Sequence, residues 1–249
     1  MTTTHGAAST ERPQRFTGKR VLVTGASGGV GAEVARLFRV EGARVFGVDV
    51  VPSQGVTLGD LTDAASIQQM ADAALAALGG LDVLCHVAGV LTMAKLEQIT
   101  PELLHRHLDV NAVGPILLTQ ALAPALAASK GNVVTVASIS ALMGQPYNAM
   151  YCASKGAVLL AMRALAVELA GRGIRVNCVS PGGVDTPMTA GAAHSMPADV
   201  DWSLIAKSQS VMPGFMPPAD VAESILFLAS DGAASIAGAN LVVDRGVVW

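Results

Sequence analysis

Tyr151-Cys-Ala-Ser-Lys155 sets a phenol and an ammonium four residues apart in an Ala- and Leu-rich stretch of helical period. Side chains at that spacing stack on one face of a helix. A phenol of ordinary pKa, about 10, is a poor base at neutral pH, and a neighbouring ammonium favours its phenolate. The pair therefore reads as a general acid/base for an alcohol–carbonyl couple. Alone, a Tyr and a Lys at this spacing mean little.

A second constellation has the chemistry to hold a hydride carrier. Val21-Leu-Val-Thr-Gly25-Ala-Ser27-Gly28-Gly29-Val30-Gly31 runs from an apolar strand pattern into a helical one. Glycines there let the backbone turn tightly and approach a pyrophosphate, which rests at the helix N-terminus among free N–H groups. Placement between strand and helix is what gives the cluster weight. Asp49 ends the next strand pattern, where a carboxylate accepts hydrogen bonds from ribose hydroxyls and repels a 2′-phosphate. Val50, Val51 and Pro52 follow it with no cation, so NAD is expected over NADP.

The elements that must position these residues alternate. Strand patterns are Arg20–Thr24, Arg44–Asp49, Gly55–Leu58, Leu81–Val87, Asn132–Val136, Ile174–Val179 and Asn240–Asp244. Helical patterns cover 30–41, 64–77, 101–128, 150–170 and 219–229. Strands apolar on both faces, alternating with helices, imply a parallel sheet covered on both sides. The expected fold is α/β, a doubly wound, Rossmann-type parallel sheet of about seven strands, in a single domain over 16–249. Residues 180–218 break the rhythm, rich in Pro, Gly and Met with no strand signal. With Met188, Met196, Trp202, Met212, Phe215 and Met216 they read as a lid, about 186–217, over an apolar substrate.

Composition narrows the function classes. Of 249 residues about half are apolar and few are aromatic, so the core is built from Ala, Val, Leu and Ile. A net charge of −3, with Lys and Arg scattered, offers no face for nucleic acid. Cys85, Cys152 and Cys178 lack metal-ligand spacing and read as small hydrophobes, so no metal is expected. Residues 1–15 are polar and small, a disordered tail rather than a signal peptide. The most apolar stretch, 156–169, is interrupted by Arg163 and Glu168, so no membrane span is expected, and the expected compartment is the cytoplasm.

Over residues 19–244 the chain resembles the single-domain branch of the short-chain dehydrogenase/reductase family. The marks are Thr24-Gly25-Ala-Ser-Gly-Gly29-Val-Gly31, Asp60-Leu61, Ala88-Gly89, Asn111, Ser138, Tyr151-x-x-x-Lys155 and Pro181-Gly182. The resemblance implies roles. Tyr151 exchanges the proton with the alcohol or ketone, and Ser138 hydrogen-bonds the substrate oxygen. Lys155 holds the nicotinamide ribose and depresses the Tyr151 pKa, while Asn111 positions a proton-relay water. Asp60 and Leu61 meet adenine; Val87, Ala88 and Gly89 give backbone contacts; Pro181, Gly182, Val184 and Thr186 hold the carboxamide end. Ser140, Gln145 and Gly183 fall where the family's substrate pocket lies. Taken singly, Ser138 reads equally as a loop cap, Asn111 as satisfying a helix irregularity and Thr186 as a turn start. Ser140 competes with Ser138 at the same strand end, and spacing prefers Ser138.

The chain departs from the family pattern in places. His86-Val87-Ala88-Gly89 stands where Asn-Asn-Ala-Gly is usual, removing an Asn that ties neighbouring strands; Val87 is expected to compensate by packing. His86, inside a strand, reads as structural rather than as a base. Gly214-Phe-Met-Pro217 and Asp244-Arg-Gly246 replace the usual Gly-Arg-x-Gly and Asp-Gly-Gly, remodelling the lid and C-terminal edge. Helices 101–128 and 150–170 are apolar nearly all round, which predicts pairing into a homodimer or, as in the family, a homotetramer. The reading is thus an NAD-dependent oxidoreductase acting on a small, neutral, fairly apolar secondary alcohol or ketone. The rivals are a 3-oxoacyl-thioester reductase and a non-catalytic dinucleotide-binding regulator.

Overall fold

A computed structural model of the chain describes residues 14–206 and 210–247. The aliphatic runs form β1 (Arg20–Thr24), β2 (Arg44–Asp49), β3 (Val56–Leu58), β4 (Val83–His86), β5 (Asn132–Val136), β6 (Arg175–Pro181) and β7 (Asn240–Val243). The order across the sheet is β3-β2-β1-β4-β5-β6-β7, with every pairing parallel. The crossovers are helical: α1 (Gly29–Val40), α2 (Ala64–Leu78), α3 (Pro101–Leu108), α4 (Gly114–Ser129), α5 (Ala149–Ala170) and, before β7, α8 (Pro218–Ala229). This is the doubly wound, Rossmann-type, single-domain sheet expected from the alternation.

Successive strand residues face opposite ways, so each strand feeds two cores. Val21, Val23 and Cys85 meet Leu37 and Phe38 of α1 and Ile225 and Leu226 of α8. Leu22, Leu84 and Val133 turn to Met70 of α2, Leu122 of α4 and Met162 of α5. Each fully buried side chain of this kind stabilises by roughly 1.5–3 kcal/mol, so the site rests on a platform it does not have to hold together. Strand order reverses between β1 and β4. The crossovers from these two strands leave on opposite faces, opening a crevice at their carboxyl ends where α/β folds bind ligands.

Four expectations are corrected. The single helix predicted over 101–128 is α3 and α4 joined by a π turn, Asp109–Val113. Pro115 has no N–H to give the Asn111 carbonyl, and the register slips so that Gly114 N donates to Asp109 O, five residues back. The segment 186–217 contains two helices, α6 (Pro187–His194) and α7 (Trp202–Ile205). They start at Thr186 and Asp201, whose side chains accept from Thr189 N and Ser203 N. A bridge between Val184 and Met216 draws the ends of this segment together.

Residues 1–13 of the expected tail lie outside the described residues, but Arg15 belongs to the fold. Its guanidinium pairs with Glu41 while Phe16 packs edge-on against Phe38, centroids 4.7 Å apart. Finally, Pro101–Ser129 and α5 are each long and apolar enough to cross a membrane by length and composition. Here Leu118, Leu122, Val158 and Met162 on their inner sides complete the core against the sheet.

Candidate active site

The glycine-rich turn after β1 is shaped by close backbone approach. Gly25 has φ +74°, and a Cβ there would stand 2.8 Å from the Ala88 backbone. A Cβ on Gly31 would stand 2.0 Å from the Gly25 carbonyl oxygen. The Thr24 hydroxyl accepts from the backbone N–H of Val87 (3.1 Å) and Ala88 (3.2 Å), tying β1 to the end of β4. Thr24 thus supplies a cross-strand bond where the family Asn is missing, and Val87 packs against the core as expected. Helix α1 begins at Gly29 with no side chain capping it and no acidic residue in its first turn. Space beside Gly28 is open. A tight glycine turn delivering an uncapped helix N-terminus fits a diphosphate.

Asp49 is locked onto this turn. One carboxylate oxygen accepts from Ser27 N and the other from Val51 N, both at 3.0 Å, while the Ser27 hydroxyl donates to Val51 O at 2.6 Å. An ionised carboxylate has further lone pairs for ribose hydroxyls. Asp60 accepts from the backbone and hydroxyl of Thr62, beside the buried Leu61.

On α5, Lys155 is buried and its Nζ donates to Val136 O at 2.8 Å, standing 5.7 Å from the Tyr151 ring centroid. Burial pushes the ammonium down to about 8. The Tyr151 ring is partly open to the cavity, yet burial pushes its phenol up to about 12, against the pull of a hydrogen bond with Ser138. The expected depression of Tyr151 by Lys155 is therefore not what this geometry yields. The ammonium is aimed at the Val136 carbonyl, and withdrawal of both groups from water dominates.

Ser138 does both things its position allows. It caps the short 3₁₀ turn Ile139–Ala141 by accepting from Ser140 N at 3.1 Å, and it touches Tyr151. Its hydroxyl donates to Ser140 Oγ at 3.2 Å, and Ser140 donates to Gln145 Oε1.

One cavity of about 1110 Å³ joins these parts. It runs from Asp49, Asp60 and Leu61, past Gly25, Ser27 to Gly31 and Val87 to Gly89, to Ser138, Ser140, Gln145, Tyr151 and Lys155. Pro181, Gly182, Gly183, Val184 and Thr186 close its other side. Of the expected lid residues, Trp202 and Met212 are exposed and Met216 is buried in the core, none of them lining the cavity, and among the expected catalytic, cofactor and substrate residues Asn111 alone does not line it. Its amide is spent on Val90, accepting from N at 2.8 Å and donating to O at 3.0 Å, and on Ser154 Oγ at 2.9 Å. The far end is walled by Leu91, Met93, Ile139, Met188, Met196 and Phe215.

Several residues at this cavity escaped the sequence reading, among them Leu91, Met93 and Ile139 and the polar Glu102, His105 and Arg106 of α3. Asn148 also lines the cavity; its place three residues before Tyr151, on the same helix face, was the available signal. His107 is buried behind the wall, its Nε2 accepting from Thr92 N at 3.1 Å and its Nδ1 donating to Leu103 O at 2.8 Å. It pins the loop that carries Leu91 and Met93, a contact invisible before folding.

His86 is structural. The Thr119 hydroxyl donates to Pro115 O, so His86 Nε2 is the donor to Thr119 Oγ1 at 2.8 Å. Burial pushes this imidazole down to about 3, so it stays neutral. Among the described residues no group of three or more His, Cys, Asp or Glu could hold a metal ion.

A family model described as enoyl-(acyl carrier protein) reductase matches residues 25–248. D-threitol dehydrogenase of Mycolicibacterium smegmatis is 36% identical over 248 residues, covering 93% of this chain and 94% of the relative. A short chain dehydrogenase from Mycobacterium paratuberculosis, solved bound to NAD, superposes with a TM-score of 0.85 at 28% identity, over 94% of this chain and 98% of that one. Another from Burkholderia cenocepacia, solved in complex with NADP, gives 0.80 at 29% identity over 94% and 99%.

Proposed function

This chain belongs to the short-chain dehydrogenase/reductase family, and we propose that it is an NAD-preferring dehydrogenase interconverting a secondary alcohol and a ketone. The observation that carries this reading is one continuous cavity with the Asp49–glycine cradle at one end and Ser138, Tyr151 and Lys155 at the other. The polyol alcohol in the name of the threitol-oxidising relative supports the substrate class. Asp49 supports NAD, because its fixed carboxylate lies where a 2′-phosphate would add negative charge.

When bound, the nicotinamide ring supplies the acceptor or donor of hydride. The glycine turn and the start of α1 hold the diphosphate, Asp49 takes the adenosine ribose, and Asp60 and Leu61 flank the adenine. Lys155 holds the nicotinamide ribose, and the strand-end loop Pro181–Thr186 holds the carboxamide. Tyr151 Oη gives a proton to the ketone or takes one from the alcohol. With its phenol held protonated by burial, the cofactor-free site is poised as the acid. The Ser138 hydroxyl turns from Ser140 to the substrate oxygen, where it steadies developing charge. Asn111 anchors the loop at Val90 through its side-chain amide, and we infer that its main-chain carbonyl, which Pro115 has no N–H to satisfy, positions the water that returns protons past Lys155.

The segment 186–217 acts as the lid. Ser195 Oγ accepts from Met93 N at 3.0 Å, Tyr147 Oη accepts from Asp201 N at 2.9 Å, and Lys95 pairs with Asp199. Met188, Met196 and Phe215, which line the cavity from this segment, suit a small neutral substrate with an apolar body. Leu160 and Val167, 65% and 80% exposed on the outer side of α5, support a homo-oligomer, dimer or tetramer. The test is a panel of secondary alcohols and ketones with NAD, NADP and their reduced forms, followed by nicotinamide fluorescence. Turnover of alcohols with NAD is expected. Turnover confined to carrier-linked 3-oxoacyl thioesters with NADPH, or none with either cofactor, refutes the reading.

A further inference from the structure

The reacting oxygen is served by Ser138 and Tyr151, and most of the surrounding wall is apolar. In such a pocket the few remaining polar groups fix orientation and specificity. Besides Glu102, His105 and Arg106 on α3 and Asp109 in the π turn, two amides remain, Gln145 and Asn148. Gln145 Oε1 accepts the hydroxyl proton of Ser140, whose oxygen already accepts from Ser138. That chain fixes which way the Gln145 amide faces and leaves its NH₂ with no partner among the described residues. Asn148 opens α5 without capping it, and its Oδ1 is shielded from solvent with no hydrogen-bond partner among the described residues. A shielded amide oxygen left unpaired carries a free-energy cost, and such exceptions are uncommon enough to require an explanation. Asn148, Tyr151 and Lys155 follow one another along one face of α5, and all three line the same cavity.

We propose that Gln145 and Asn148 form a second polar subsite that binds another hydroxyl of the substrate, so that the natural substrate is a diol or hydroxy-ketone on an apolar frame. The proposal rests on the hydride-transfer reading above. A free NH₂ from Gln145 and a free carbonyl from Asn148 match the hydroxyl group, which both accepts and donates. The broad terminal torsion of Asn148 lets its oxygen swing toward the cavity at small cost. The link Ser138–Ser140–Gln145 sets the Gln145 amide two hydrogen bonds from Ser138. A subsite this near Ser138 favours a second oxygen close to the reacting carbon, and the 1,2- and 1,3-diols test that spacing.

The experiment compares kcat/KM for cyclohexanol, cyclohexane-1,2-diol and cyclohexane-1,3-diol in the wild type, Gln145→Leu and Asn148→Ser. The wild type is expected to favour at least one diol over cyclohexanol by about 10-fold or more, the value of one or two matched hydrogen bonds. Each substitution is expected to pull that ratio toward unity, whatever it does to absolute rates. A merely structural role would lower all three substrates together and keep the ratio. Wild-type ratios near unity with good cyclohexanol turnover overturn the subsite and leave the dehydrogenase standing, as do ratios unmoved in both variants. Failure to oxidise any of the three, with NADH still bound, overturns both.

Discussion

Replacing Asp49 by Asn should turn the cofactor preference, by an amount that follows from a fixed carboxylate set about 5 Å from a 2′-phosphate. The carboxylate is held by Ser27 N and Val51 N, each at 3.0 Å, so it cannot swing away from an incoming 2′-phosphate. Like charges about 5 Å apart at a partly exposed site, with an effective dielectric well above 20, repel by about 2 kcal/mol, or about 30-fold in affinity. Asn removes that repulsion. It also exchanges a charged acceptor of ribose hydroxyls for a neutral one, and it leaves Ser27 N or Val51 N without its oxygen. Loss of a charge-assisted bond costs NAD about 1.5 kcal/mol, a further factor of about 10. The ratio of kcat/KM with NAD to that with NADP should therefore fall by about 300-fold, most of it in KM. Initial rates against each cofactor at saturating alcohol measure this. A ratio within about 3-fold of wild type would show that Asp49 does not read the ribose.

Gly31→Ala should abolish tight cofactor binding, by about 10-fold or more in NADH Kd, because its Cβ would meet the Gly25 carbonyl oxygen at 2.0 Å. Unchanged NADH titration would contradict this. Lys155 is pushed down to about 8 by burial while the unfolded chain titrates near its ordinary value, so between these limits the unfolded state binds more protons. From pH 8 to 10 Lys155 should add about 2 kcal/mol of stability to the cofactor-free protein, against a fall from the buried Cys85, Cys178 and Tyr151, so the wild type should gain about 2 kcal/mol relative to Lys155→Met over that range. Equal slopes in denaturant melts across that range would refute the assignment. Leu160→Glu with Val167→Glu should convert the wild-type assembly to a monomer by light scattering. A monomeric wild type at micromolar concentration would end the oligomer proposal.

The sheet was legible because Val21, Leu22 and Val23 are apolar on both faces, a pattern only a doubly covered strand needs. The glycine cradle was legible because Gly25 and Gly31 stand where side chains have no room. The π turn was not. Gly114-Pro115 reads as a tolerable flaw in a long helix, and only the lost N–H partner of Asn111 reveals the slip. Helix α6 had its start signal in Thr186-Pro187, masked by the surrounding Pro, Gly and Met. The direction of the Tyr151 shift was misjudged for a different reason. Spacing places two groups side by side, whereas their withdrawal from water is set by β5, the Pro181–Thr186 loop and the lid. Asn148 and His107 likewise acquire meaning only from what folds against them.

The most direct test of the central claim is Tyr151→Phe, assayed for both NADH binding and turnover. If the Tyr151 hydroxyl carries the proton, NADH binds as in the wild type and kcat falls by about 10³-fold or more. Wild-type turnover without that oxygen would contradict the account.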